Sequence, residues 1–343
     1  MHGRFAVRLL DQVDTPPAFK LKLGEITAFA HWGLGNANAA IKICNEIVEA
    51  CRKQGLAYQM VATMETLAGV LHTLNNDAEI GLEIAEDALK ITKNFNGSRY
   101  RMRCLYRIGI IQNFLGLYEE AEQNLIIVRN EKSKLGQSTF VAHTQEILGR
   151  VYFNLGEYEK SKVHTLEALK QRAEAHLNIG EAWCWMSYGE LLATISNYDK
   201  AIEAYLKSCD LINRSSNSEV PILTARSFSG LAWSYCSLHQ LTKAKEYADK
   251  AWEFILENEF NANWSWGEAC LDLIDTFTHL EDDRANDVLA KAYDGVQRIA
   301  TKMKKKHIKN SFLNNVRSNR EICNLYEQRL GTKDSSEHYG RRS

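Results

Sequence analysis

Lys302, Lys304, Lys305, Lys306 and Lys309, with His307 among them, form the one dense charge cluster of the sequence. Such a run can dock an acidic partner or a nucleotide phosphate. It can equally be a solvated face near a helix end, where cations suit the dipole. The other candidate chemistries fail on spacing. Gly33-Leu34-Gly35-Asn36-Ala37-Asn38 begins like a dinucleotide fingerprint but lacks the third glycine, and that motif works only where a strand turns into a helix. No G-x-x-x-x-G-K-[ST] loop is present, so the chain carries no phosphate cradle of that kind. Neither H-E-x-x-H nor G-x-S-x-G occurs, and His31, His72, His143 and His164 are too far apart in register for a metal set. The eight cysteines stand singly, without C-x-x-C. That spacing gives no zinc ribbon, redox motif or haem attachment, and it reads as reduced thiols in a cytoplasmic protein. Pairs such as Glu119-Glu120 and Asp282-Asp283 read as solvated helix ends. These residues imply no enzyme, no cofactor and no metal.

The elements that position them repeat. Leu115-Gly116-Leu117-Tyr118-Glu119-Glu120-Ala121 returns as Leu155-Gly156-Glu157-Tyr158-Glu159-Lys160-Ser161, and again as Ile195-Ser196-Asn197-Tyr198-Asp199-Lys200-Ala201. A glycine precedes each copy at the same distance: Gly109, Gly149 and Gly189. A fixed period of about 40 residues marks a solenoid of helix pairs, in which neither helix buries its apolar stripe alone. The glycines let paired helices approach closely, and the tyrosines after each turn can pack a flat ring while the hydroxyl stays wet. Only three prolines interrupt 343 residues, which favours continuous helix. Lysine and arginine number 42 against 43 aspartates and glutamates, so the basic footprint of a nucleic-acid binder is missing. No apolar run reaches membrane-spanning length.

Four stretches follow from the pattern. Residues 1–19 carry an amphipathic helix over Arg4 to Val13 that stops at Pro16-Pro17, either a cap or the remnant of a preceding repeat. Residues 20–303 hold about seven helix pairs, 304–330 a C-terminal capping helix, and 331–343 a polar tail expected to be disordered.

The repeats resemble the tetratricopeptide repeat (TPR). Leu148-Gly149, Tyr152, Gly156, Tyr158, Ser161 and Ala168 match its pattern in the fourth unit; Trp185, Gly189, Tyr198, Ala201 and Tyr205 match in the fifth; Leu231-Ala232, Tyr235, Ala244, Ala248 and Ala251 match in the sixth. The family repeat is 34 residues and this one is 40, so each helix is expected to be longer. The resemblance implies an all-α fold, a right-handed α-α superhelical solenoid of TPR-like helix pairs. A second likeness lies at Asn310 to Ile322, which is similar to the segment SFLENVP-x-NRE-I closing the TPR arrays of multidomain signalling NTPases and nucleotide cyclases, with Arg317 in place of the proline.

What the family uses for binding is the concave face of its first helices. Carried over position by position, that face would hold Arg103, Tyr106, Ile110 and Asn113; His143, Glu146, Arg150 and Phe153; Trp183, Met186, Glu190 and Ala193; and Arg226, Ser229, Trp233 and Cys236. Arginines beside aromatic rings suit an extended peptide with acidic and apolar anchors. The set differs from the lysine–asparagine clamp of chaperone-binding members. The expected function is a non-catalytic scaffold that binds a protein or peptide, with no nucleic acid and no membrane among its partners. The alternative is the ligand-sensing region of a multidomain signalling protein, with an N-terminal NTPase or cyclase module in a longer parent.

Overall fold

The computed structural model describes residues 17–94, 98–134, 138–176, 178–215, 221–257 and 266–330. The expected helix over Arg4 to Val13 and the tail from Gly331 lie outside the described residues. Sixteen α-helices make up almost all of what is described, with one 3-10 turn at Thr92–Asn94 and no strand among these residues. They follow as pairs: α1 (Pro17–Gly33) with α2 (Ala37–Gln54), α3 (Ala57–Thr73) with α4 (Ala78–Ile91), and α5 (Ser98–Phe114) with α6 (Tyr118–Lys134). Next come α7 (Ser138–Asn154) with α8 (Tyr158–Glu174), α9 (Asn178–Thr194) with α10 (Tyr198–Asn213), α11 (Pro221–Ser237) with α12 (Leu241–Glu257), and α13 (Trp266–His279) with α14 (Arg284–Lys302). Two shorter helices close the described chain, α15 (Lys306–Asn314) and α16 (Arg317–Arg329).

One backbone device sets the period. Between the helices of each pair a single residue takes a left-handed conformation: Gly35, Asn76, Gly116, Gly156, Ser196, His239 and Glu281, with φ from 54° to 76°. These residues recur every 40 to 43 positions. At Gly156 the turn closes with Gly156 N–H bonding the Phe153 carbonyl at 3.0 Å and Glu157 N–H bonding Tyr152 at 2.8 Å. The same two bonds close the turns at Ser196, His239 and Glu281. This crossed pair satisfies carbonyls that the helix end would otherwise leave open. Glycine holds the conformation without strain, whereas Ser196, His239 and Glu281 pay about 1–2 kcal/mol each for their Cβ.

Close approach within a pair rests on the recurring small residue. A Cβ added at Gly109 would lie 2.7 Å from Leu125, at Gly149 2.6 Å from the Thr165 hydroxyl, and at Gly189 2.9 Å from the Tyr205 ring. Leu125, Thr165 and Tyr205 are themselves 40 residues apart. The second helices therefore press the side chain at one repeat position onto the same bare spot in each of three pairs.

The chain divides into two compact units. The first holds α1 to α5 with residues 119–128 of α6, and the second holds residues 116–118 with everything from Arg129 onward. In the first unit α3 is buried without interruption from Val61 to His72. The second unit packs Met186, Leu192, Ile202, Tyr205, Leu223, Leu231 and Tyr235 into one core, and its first helices α7, α9, α11 and α13 lie in contact side by side.

The segment expected as one helix over 304–330 is two helices broken at Asn315-Val316. Val316 is extended at φ −68° and ψ 111°. The Asn319 side chain donates to the Phe312 carbonyl at 2.9 Å, replacing a bond that a continuous helix would have made. Arg317 opens α16 at its first position, the place in a helix where proline is welcome. The proline of the resembled segment would stand there.

Candidate functional site

In the first unit the charges gather on Glu65 of α3. Glu65 is 6% exposed, and its carboxylate meets Arg103 Nη2 at 2.5 Å and Arg107 Nη2 at 2.7 Å, both from α5. Burial alone would push Glu65 up. The two guanidiniums outweigh it and hold the carboxyl below its ordinary range. Arg107 also lies over the Trp32 ring, 5.1 Å from its centroid, while Trp32 Nε1 donates to Thr73 Oγ1 at 2.7 Å. Gly69 makes room, since a Cβ there would sit 2.5 Å from the indole. His72 packs on Phe114 with ring centroids 4.9 Å apart. Burial, helped by Arg107, pushes its pKa down to about 3, so it is neutral. Of the residues expected in the groove, Arg103 and Tyr106 are half-buried here and Asn113 is buried.

The second unit arranges charge differently. Arg150 on α7, Glu190 on α9, Arg226 on α11, Glu268 on α13 and Arg317 on α16 alternate in sign across five helices. Glu190 accepts from Nη2 of Arg226. Arg150 senses Glu190 and Arg226, Arg226 senses Glu268, and Glu268 senses Arg317. Beside this row, Arg172 of α8 donates from Nη2 to Glu146 Oε2 at 2.6 Å, and its Nη1 lies 3.1 Å from His143 Nε2. Gly180 leaves the space, because a Cβ there would fall 2.3 Å from that nitrogen. Ser229 donates to Asp272 Oδ2 at 3.0 Å.

These charges are not balanced. Burial pushes Glu146 up by more than Arg172 and Arg150 pull it down. Burial and then Glu190 push Glu268 up, while burial and then Glu268 push Asp272 well above the carboxylate range. Arg150 is pushed down to about 10, by burial first and Arg226 second, in spite of Glu190 and Glu146. His143 falls to about 4 through burial and the Arg172 charge, so its Nε2 is free to accept. Arg226 is only 4% exposed, and its Nη1, like Nε of Arg172, is buried with no hydrogen-bond partner. The aromatic candidates are half-buried: Phe153 packs with Tyr158 at 5.9 Å between ring centroids and Trp233 edge-on with His279 at 5.4 Å, and Trp183 lies against the core. Among the described residues, no group of three or more histidines, cysteines, aspartates or glutamates could hold a metal ion.

No protein-family model matches the sequence, and no curated protein matches it either. Solved structures do. A Rap protein complexed with competence and sporulation factor is 13% identical, with a TM-score of 0.64, and the match covers 95% of this chain and 93% of that one. NprR in complex with its cognate peptide NprX gives 14% identity and a TM-score of 0.64 over 94% of this chain and 90% of the other. The signal transduction ATPase with numerous domains (STAND) protein with a tetratricopeptide repeat sensor, from Pyrococcus horikoshii, gives 19% identity and a TM-score of 0.56. There the match covers 90% of this chain but 46% of the ATPase. The fold is that of a TPR-like solenoid.

The TPR-like register shows which residues share a role. Six positions before the recurring small residue stand Arg103, His143, Trp183 and Arg226, and then Glu268. One position after it stand Ile110, Arg150, Glu190 and Trp233, and then Asp275. Glu268 and Asp275 escaped the sequence reading because the seventh unit carries Ile274 where the others carry a small residue. Glu65, Arg107 and Arg172 occupy other registers. The available signal for Glu65 and Arg107 was a lone charge inside an apolar helical stripe.

The lysine cluster spans a helix junction of this TPR-like solenoid. Lys302 ends α14, where a cation suits the dipole, but Lys306 and Lys309 lie in the first turn of α15, where it does not. Lys304, Lys305 and Lys306 are exposed. All eight cysteines are free and six are buried; burial raises Cys44 and Cys104 to about 12. No described helix is long and apolar enough to cross a membrane.

Proposed function

We propose that this protein is a non-catalytic, cytoplasmic interaction scaffold that binds a peptide or protein segment along the first helices of its repeats. The observation that carries the reading is the charged row on α7, α9, α11 and α13. Four adjacent helices present His143, Arg226 and Glu268 at one repeat position, Arg150 and Glu190 at a second and Glu146 between them, with half-buried Phe153, Trp183 and Trp233 beside them. Rigid helices that offer charge and aromatic rings together suit capture of an extended segment. Arg103, Tyr106 and Asn113 are assigned the same use within the first unit. Two structural neighbours, a Rap protein complexed with competence and sporulation factor and NprR in complex with its cognate peptide NprX, support a peptide as the ligand here.

The test is affinity capture from a matched cell lysate with Arg103→Glu/Arg150→Glu as the control. A protein held by the wild type and released by the double variant, with both folded by circular dichroism, supports the reading. Equal capture by both, with both folded by circular dichroism, removes the groove assignment.

A second reading has one observation in its favour. Extended Val316 and Arg317 at the first helical position reproduce the backbone that a Val-Pro pair would impose, as in the segment closing TPR arrays of signalling NTPases. On this reading the chain is the sensor of such a protein, and the lysine cluster Lys304, Lys305, Lys306 and Lys309 docks an acidic surface. Reading the gene upstream of Met1 for a phosphate-binding loop decides it.

A further inference from the structure

We propose that Arg172 is a positioning residue for the peptide-binding face, fixing His143 as an uncharged hydrogen-bond donor that reads a backbone carbonyl of the bound segment. The proposal rests on the peptide-binding reading and names the group that this point of the face recognises. It starts from a constraint of chemistry. A guanidinium has donors only and no acceptor. Nη1 of Arg172 lies 3.1 Å from Nε2 of His143, so Nε2 has to be the accepting nitrogen. A neutral imidazole carries one proton, which is then on Nδ1. A residue of the next helix thus holds the ring in one tautomer.

The setting leaves the fork little freedom. Arg172 is buried, and its Nη2 is tied to Glu146 Oε2 at 2.6 Å, one turn along α7 from His143. Gly180 of α9 crowds the same guanidinium, since a Cβ there would stand 2.3 Å from Nη1 and 2.7 Å from Cζ. Three helices therefore fix its place. Burial and the Arg172 charge hold His143 at about 4, so the ring is neutral. Its Nδ1 has no acceptor among the described residues, and it is not shut away from solvent as Nη1 of Arg226 is. What the ring offers outward is one uncharged N–H. The Arg172 charge is already met by Glu146, and a second carboxylate would stand beside the first. The group that suits this N–H is a neutral carbonyl.

The experiment reads the full chain in two ways. Proton–nitrogen correlation spectra of the imidazole rings, with the His143 signal identified by its loss in His143→Gln, report which nitrogen holds the proton. Wild type is expected to show Nδ1–H alone. Gly180→Ala keeps the charge of Arg172 but displaces its fork, and should return the ring to the mixture of tautomers that a free imidazole shows. A mixed or Nε2–H ring in the wild type, or an unchanged ring in Gly180→Ala, overturns the inference. The second readout is retention of a synthetic library of random hexapeptide amides by wild type, His143→Leu and His143→Gln, each checked for helicity and melting. Loss of one neutral hydrogen bond predicts about three- to tenfold weaker retention by His143→Leu. Recovery is expected in His143→Gln, whose amide joins an acceptor for Arg172 to an N–H. Equal retention by His143→Leu overturns the inference and leaves peptide binding standing, as does an enrichment of Asp or Glu that His143→Leu abolishes. No peptide retained by the wild type overturns both.

Discussion

The first unit settles two arginines on one buried glutamate, whereas the second strings its charges over five helices and leaves several of them in an unfavourable state. Both clusters are built mainly on first helices of the same kind of repeat, and the second adds Arg172 from α8 and Arg317 from α16. In the first, Glu65 is held below its ordinary range, the sign of an ion pair that favours the folded state. In the second, Glu146, Glu268 and Asp272 are held above theirs and Arg150 below its own. A balanced buried cluster is explained by stability. An unbalanced one costs stability in the charges it leaves underpaired.

The largest break in this comparison comes from Glu65→Gln. It leaves Arg103 and Arg107, both half-buried, beside each other without their shared carboxylate, and a loss of about 2–3 kcal/mol, below that of a fully buried pair, is expected on chemical denaturation. A loss under about 1 kcal/mol would mean that the first cluster is no more structural than the second. Gly230→Ala probes whether the second unit is held by packing instead of charge. The new Cβ would fall 2.2 Å from Tyr205, and overpacking of that kind costs about 1–3 kcal/mol; an unchanged melting temperature would contradict it.

Acidity separates the two units by sign. Glu65, with its lowered value, stabilises the folded state above the ordinary glutamate value of 4.5 and loses that contribution as pH falls below it. Glu268 and Asp272, with raised values, contribute most below their ordinary 4.5 and 3.8 and lose the contribution as pH rises through the raised ones. Hydrogen-exchange protection, corrected for intrinsic rates, is therefore expected to rise in α11 and α13 on going from pH 7 towards 5 while α3 and α5 hold steady. Asp272→Asn should flatten that rise. A parallel response in both units would remove the contrast. The smallest effect is expected from Lys306→Glu, which reverses an ill-placed charge at the start of α15 and should stabilise by about 0.3–1 kcal/mol in low salt.

The helix pairs were legible because glycine and tyrosine recur at fixed offsets, and a small residue pressed by the facing helix leaves that trace in the sequence. The break at Val316 was not legible from periodicity, since Arg317 carries none of the stop signal that the proline of the resembled segment would give. For the site, Arg226 and Glu190 were both named, but as separate groove positions and not as partners. Which first-helix residue meets which depends on the stagger between successive pairs, and the period does not contain that quantity. Arg172 lies on a second helix, where no repeat rule directs attention, and it becomes visible only through Gly180.

Tyr205 has a mechanical consequence. Its ring lies against the bare backbone of Gly189 on one side and of Gly230 on the other, so one side chain from α10 pins both α9 and α11. In most solenoids each repeat can peel away from its neighbour. Pulled from its ends, this chain should release α9 to α12 as a single step of about four helices, and Tyr205→Ala should split that step in two.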